Sequence, residues 1–272
     1  VFSSDDFQAN YLIVPSYGDY AGGEAPSYGY GLSGLVLPVS FESTIKSSFT
    51  FCTWHASSQT GSTQVLLGSN GGEHSSGVGN DYLTIGIIGG KGFVRLKTGE
   101  ESNDFLQSTA TGLHVNDNNW HHIAFVITDV GDSSDTTLKV YFDGAAVTMA
   151  TPISTMTGSD QDEFITENQL GIGCSVTAAA PGLPVGNSLQ KMAGCALFNI
   201  ALDLPNINAI YNMGYLGVEL PDLTSASGHY DKTSALAGYW KCNDGTLTPS
   251  HTAVDSSTNS NNGETAGAAV LI

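Results

Sequence analysis

The chain has 272 residues, 40% of them apolar, with 33 glycines and only 12% charged residues. Twenty-six acidic residues face eight basic ones for a net charge of −18, and Arg95 is the sole arginine. Nucleic acid and anionic membranes need clustered Lys and Arg, so this balance excludes both as partners. No apolar run approaches the roughly 20 residues of a membrane span, and no basic-then-apolar leader opens the chain.

The length suits one large β domain or two small ones, and many Gly, Ser, Thr and Asn residues supply turns for an all-β sandwich. A start at Val1 instead of Met reads as a processed form, with export or assembly as the expectation. Four separated cysteines, Cys52, Cys174, Cys195 and Cys242, form no C-x-x-C pair, which argues against zinc or thioredoxin-like chemistry. Disulfides and buried free thiols both fit their apolar surroundings.

In chain order, Tyr11 to Val14 reads as a strand, followed by a loop that carries Tyr17, Tyr20, Tyr28 and Tyr30. Those tyrosines either stack against sugar rings or pack the loop onto the sandwich. The match GYGLSG at Gly29 to Gly34 fits G-x-G-x-x-G, but a strand ending at Pro38 follows it, so no helix opens and no dinucleotide site results. Ser47 to His55, Val65 to Gly68, Tyr82 to Ile88, Phe93 to Lys97 and Gly112 to Val115 are further strands, with a glycine-rich loop from Ser69 to Asp81. Trp120 to Ile127 and Leu138 to Asp143 form a hairpin around an acidic loop, Thr128 to Thr137. Trp120, His122, Ala124 and Val126 share one face of its first strand, and His121, Ile123, Phe125 and Ile127 the other. Both faces are largely apolar, as in a strand near the middle of a two-sheet sandwich. Asp143-Gly144 makes a tight turn into Ala145 to Met149. After strands at Asn168 to Ser175 and Leu189 to Phe198, the period becomes helical: Ile207, Ile210 and Tyr211 mark a short helix over 203–212, with Asp203 as its N-cap and Pro205 in its first turn.

The strands WHHIAFVI and LKVYFDG, with FTFCTWH before them and ALDLPNINAIYNMG after, resemble the laminin-G-like, concanavalin A-like jelly-roll family in the right order. The tail, LAGYWKCNDGT followed by AVDSSTNSNNGETAG, resembles the element that usually opens such a domain, yet here it comes last. Either the jelly roll is permuted or a second domain begins; permutation is the favoured reading. The resemblance implies an all-β, two-sheet antiparallel jelly-roll sandwich with one short helix. It divides the chain into 1–217 as jelly roll, 218–235 as linker and 236–272 as strands completing the same sandwich. A similar order, with AGYW and DSSTNSNNG after the helix, occurs in structural proteins of tailed phages.

Catalysis is not expected. No E-x-D-x-x-E pattern lies on an apolar strand, no G-x-S-x-G is present, and adjacent His121 and His122 point to opposite faces. A glycanase would need paired carboxylates in a groove. The resemblance implies calcium at a sheet rim, where Asp129, Asp132 and Asp143 are the expected ligands; Asp143 also serves simply as a turn residue. Asp255 with Asn259 and Asn261 is a second cation candidate. The expectation is a non-catalytic structural or adhesive protein on a virion surface, as fibre, tail or capsid decoration, or outside a cell. It would contact host-surface polysaccharide, further copies of itself or other virion subunits. The alternative is a secreted prokaryotic lectin or filament subunit.

Overall fold

Runs of alternating apolar and β-branched residues become strands because their branched side chains pack well on a pleated surface. The computed structural model describes residues 2–3, 11–14, 34–38, 48–59, 63–73, 80–97, 105–113, 115–128, 136–153, 169–177, 190–214, 220–242, 252–266 and 269–271. The first strands are β1 (Phe2–Ser3), β2 (Leu12–Val14), β3 (Gly34–Val36), β4 (Phe49–Ala56), β5 (Gln64–Glu73), β6 (Asn80–Ile88) and β7 (Lys91–Lys97). There follow β8 (Phe105–Ser108), β9 (Asn119–Thr128), β10 (Thr137–Phe142), β11 (Ala145–Ala146), β12 (Gly171–Ile172), β13 (Ser175–Thr177) and β14 (Gln190–Phe198). Helix α1 (Leu204–Gly214) precedes β15 (Leu236–Trp240), β16 (Thr252–Ala253), β17 (Gly263–Ala266) and β18 (Val270–Leu271).

These strands build two sheets. The first runs β11-β10-β9-β4-β14-β2-β18, with β1 also on β9 and β15 also on β14; the second runs β16-β17-β3-β12-β5-β6-β7-β8, with β13 also on β5. Pairing is antiparallel throughout except for β13 on β5. This is the two-sheet sandwich with one helix that the sequence predicts. Strands from the tail enter both sheets: β15 pairs with β14, β17 with β3 and β18 with β2.

The core lies between the sheets, where Phe49, Phe51, Ile123, Phe125, Ile127 and Leu197 of the first meet Leu67, Ile85, Val94, Leu96 and Ile172 of the second. The opposite face of the first sheet is buried too. Cys52, Ala124, Val126, Tyr141, Phe198 and Tyr239 pack beneath Ile207 and Ile210 of α1 and beneath Leu223 and Tyr230. The molecule therefore has a third layer, made by α1 and the stretch from 220 to 235. The sequence reads 218–235 as a linker; from residue 220 on, it lays Leu220, Leu223 and Tyr230 onto the sheet. Tyr239 and Tyr230 fix it by donating their hydroxyls to the carbonyls of Pro221 and Leu223 at 2.7 and 2.8 Å.

Three local readings change. Of the stretch Gly112 to Val115, the described residues Gly112, Leu113 and Val115 are not in a strand: Leu113 and Val115 are buried as plugs, and the Leu113 N–H donates to the Gly90 carbonyl. Phe105–Ser108, absent from the sequence reading, pairs with β7 instead. The loop expected over 69–81 is partly strand, because β5 and β6 continue pairing to Glu73 opposite Asn80 through an irregularity in register. All four cysteines are buried free thiols.

Candidate functional site

The site begins at a turn. Asp143 and Gly144 both have positive φ, 48° and 76°, the backbone a two-residue type I′ hairpin needs, and they join β10 to β11 with Phe142 opposite Ala145. A Cβ on Gly144 would fall 2.7 Å from Asn208 Oδ1 and 2.8 Å from Tyr211, so the turn lies directly against α1. Asp143 is thereby held at the rim, and its carboxylate is engaged on both oxygens. Oδ1 accepts the His122 N–H at 3.0 Å, and Oδ2 accepts from His121 Nδ1 at 2.8 Å.

His121 faces inward from β9 with a side chain only 4% exposed, and its Nε2 lies 3.2 Å from Asp117 Oδ1. Each ring nitrogen thus meets a carboxylate oxygen, an arrangement in which both nitrogens donate when the ring is an imidazolium. Burial alone would pull its pKa down, but the hydrogen bond and charge of Asp143, then those of Asp117, outweigh that and hold it above the ordinary histidine value. Phe142 stacks on the ring at 4.7 Å, a contact that favours the cation. Asp117 feels an upward pull from partial burial, but the Asn119 backbone and amide N–H groups and His121 keep it below the usual carboxylate range.

Two further histidines adjoin His121 and behave oppositely. His55 is its cross-strand partner on β4, wholly buried beside the amides of Gln190 and Gln64. Neither ring nitrogen of His55 reaches hydrogen-bond geometry with those amides. Burial lowers its pKa to about 4, the two amides pull it partly back, and the charge on His121 lowers it again. His122 points the other way, into the layer under α1, with ring centroids 5.4 Å from Trp54 and 6.1 Å from Tyr211. Its burial lowers the pKa to about 4 against a small upward pull from Asp143.

The tail motif is a buried knot. The Asp255 carboxylate accepts four hydrogen bonds, all at 2.8 Å: from the backbone N–H groups of Tyr239, Ser257 and Asn261 and from the Ser257 hydroxyl. Asn259 and Asn261 donate their amides to carbonyls of Leu236 and Ala237, and Trp240 Nε1 donates to the Asn261 carbonyl. Asp255, Asn259 and Asn261, considered for a cation, are instead the clasp between β15 and the loop that precedes β17.

Of the other candidate residues, Tyr17, Tyr20, Tyr28, Tyr30, Asp129 and Asp132 lie outside the described residues. Among the described residues, no three His, Cys, Asp or Glu side chains converge as metal ligands. Sequence reasoning set His121 aside because it and His122 face opposite ways. That alternation is real, but it hides the two carboxylates that come to His121 from 22 residues and four residues away.

The outer face of the second sheet offers a different surface. Val94 and Leu96 of β7 point into the core, so Lys91, Phe93 and Arg95 point away from it. By the same alternation β6 contributes Thr84 and Ile88, and β8 contributes Leu106 and Ser108. Arg95 and Ile88 are exposed there; Thr84, Leu106 and Ser108 are half-buried.

A family model described as the concanavalin A-like lectin/glucanases superfamily matches residues 33–181. No curated protein sequence matches the chain. Among solved structures, a Bacteroides ovatus protein described as carbohydrate binding is similar at 12% identity and a TM-score of 0.49, over 97% of this chain and 58% of that one. The chain therefore spans little more than half the length of that protein. A Ruminococcus gnavus sialidase module, CBM40 bound to α2,3-sialyllactose, aligns at 12% identity and a TM-score of 0.45, over 67% of this chain and 96% of that one. A SAP-like pentraxin of Limulus polyphemus aligns at 14% identity and a TM-score of 0.45, over 75% of this chain and 82% of that one.

Proposed function

The chain belongs to the concanavalin A-like lectin/glucanases superfamily, and from that premise we propose that it is a non-catalytic, surface-exposed module that binds glycans. The observation that carries the reading is the engagement of five carboxylates among the described residues. Asp117, Asp143, Asp203, Asp222 and Asp255 each accept hydrogen bonds from neighbouring backbone or side-chain donors. A glycosidase needs one carboxyl free to protonate and a second to attack or activate water, and these are structural acceptors. The binding face in this reading is the outer face of the second sheet around Arg95. A guanidinium fork flanked by hydroxyls suits sugar hydroxyls and carboxylates, and the half-buried Leu106 beside it suits the apolar face of a pyranose.

In its finer form the module decorates a phage particle and meets host polysaccharide or neighbouring subunits. Its support is the order of the closing motifs, AGYW then DSSTNSNNG after the helix. An assembling subunit, whether of a virion or of an extracellular filament, would join its neighbour along an open sheet edge such as that of β18, which ends its sheet and pairs with β2 through Val270 and Leu271 among the described residues.

The test is to incubate the full chain with mixed bacterial surface polysaccharides, then measure both retained protein and released reducing ends. Retention without release supports the reading. Release of reducing ends, or no retention on any polysaccharide, overturns it. Light scattering on the same sample separates a monomeric lectin from an assembling subunit.

A further inference from the structure

Three buried side chains meet between the sheets with more acceptors than donors: His55 of β4, Gln64 of β5 and Gln190 of β14, each at most 1% exposed. His55 shares its strand face with Phe49 and Phe51, which point into the core. Gln190 reaches across to the second sheet, where its Nε2 donates to the Val65 carbonyl at 2.9 Å. Gln64 turns its Nε2 to the Ser57 hydroxyl oxygen at 3.0 Å and the Gln59 carbonyl at 3.4 Å. A carbonyl oxygen can only accept, so each amide is fixed with its nitrogen toward those partners and Oε1 on the other side. Both amides adjoin the His55 ring.

Neither Oε1 has a donor, and neither ring nitrogen of His55 has a partner in hydrogen-bond geometry. Burial keeps the ring neutral, its pKa lowered to about 4. A neutral imidazole carries one N–H and one bare nitrogen. The acceptors are therefore Gln64 Oε1, Gln190 Oε1 and the bare ring nitrogen, and the single donor is the ring N–H. His121, the cross-strand partner of His55 on β9, supplies none, because its two nitrogens face Asp143 and Asp117. Buried acceptors without donors are costly in an apolar interior.

We propose that His55, Gln64 and Gln190 hold one water molecule between the two sheets. Its two hydrogens are the number the cluster lacks. With the ring N–H on one amide oxygen, the water donates to the other and to the bare ring nitrogen. A buried water ordinarily makes about three hydrogen bonds, and these polar groups are enough to hold one. A hard cation is a poorer occupant, since it wants about six oxygens or more and the cluster offers two amide oxygens and a nitrogen. β4 and β14 belong to the first sheet and β5 to the second, so the water adds a polar joint to a largely apolar core. The site is independent of the glycan reading, which concerns the outer face of the second sheet.

The experiment is NMR cross-relaxation between solvent water and the full chain at neutral pH, with the His55 ring nitrogen shifts recorded on the same sample. The ring C–H protons of His55 and the side-chain amide protons of Gln64 and Gln190 should show cross peaks of the sign given by a long-lived water. The ring should show one protonated and one bare nitrogen. His55→Phe removes both ring nitrogens and should abolish the cross peaks at the two amides. If that variant fails to fold, Gln190→Met, which removes one amide oxygen at similar length, should abolish those at the His55 ring. No long-lived water at these protons, or cross peaks that persist unchanged in the variant, overturns the proposal. So does an imidazolium ring that serves both amide oxygens itself. Ring nitrogen shifts that move when sodium is exchanged for potassium would assign the site to a cation and overturn it equally.

Discussion

The carboxylate of Asp255 accepts the backbone N–H of Tyr239 at 2.8 Å, fastening a tail loop to a strand 16 residues earlier. The same carboxylate, 5% exposed, also serves the N–H groups of Ser257 and Asn261 and the Ser257 hydroxyl. Asp255→Ala would leave these donors buried without a partner, at a cost of about 3 kcal/mol or more. Urea unfolding should show the loss, and it should be the same with and without a chelator, because the four donors are all the protein's own.

Gly214 and Trp54 make a second prediction with a sign that helix propensity alone would get wrong. Replacing a helical glycine by alanine ordinarily stabilises by roughly 0.5–1 kcal/mol. Here a Cβ would lie 2.8 Å from the buried indole, and Tyr211 is already stacked on the ring's neighbourhood at 5.9 Å. Gly214→Ala should instead destabilise by about 1–3 kcal/mol, read from the shift of the urea midpoint.

His55 and His122 set the acid limit of stability. Each is buried neutral with a pKa lowered from 6.5 to about 4, so the unfolded chain binds the proton first as pH falls. Stability is full above about pH 6.5 and is lost as pH drops toward 4, by about 3 kcal/mol for each ring. His122→Phe, which keeps an aromatic ring between Trp54 and Tyr211, should remove one such increment. His121 acts in the other sense: its raised pKa contributes stability that is lost as pH rises through it. Thermal unfolding from pH 4 to 9 should therefore show a maximum, with the acid limb shallower in His122→Phe.

The four cysteines are buried thiols, and burial pushes the Cys174 pKa up to about 12. Reducing agent should leave the unfolding midpoint unchanged. A thiol reagent should label none of these four cysteines until the chain unfolds, at which point all should react.

Much of the fold is legible in the sequence because period-two patterning with two apolar faces is a strong signal. Trp120 to Ile127 could hardly be anything but a central strand, and β9 does lie between β10 and β4. Asp203, Pro205 and the spacing of Ile207 and Ile210 likewise mark the helix, where Asp203 Oδ1 accepts the Asn206 N–H. Phe105–Ser108 escaped notice because FLQS is short and lacks β-branched residues, while Gly112 to Val115 attracted a strand reading through two core plugs. The site was harder to read. Asp255 and its neighbouring asparagines looked like cation ligands because composition shows acceptors, whereas the fold alone brings Asp255 its backbone N–H and Ser257 hydroxyl donors and turns the Asn259 and Asn261 amides onto backbone carbonyls. His121 is paired by carboxylates from a preceding loop and a distant turn, and strand periodicity carries no trace of either.

Glycan binding by a non-catalytic face around Arg95 is the central claim, and a glycan array run with the native chain beside Arg95→Ala tests it most directly. The account predicts that the native chain binds a discrete set of glycans and that Arg95→Ala, folded to the same unfolding midpoint, loses at least tenfold in signal on that set. A native chain that binds no glycan, or a variant with an unchanged profile, would contradict it.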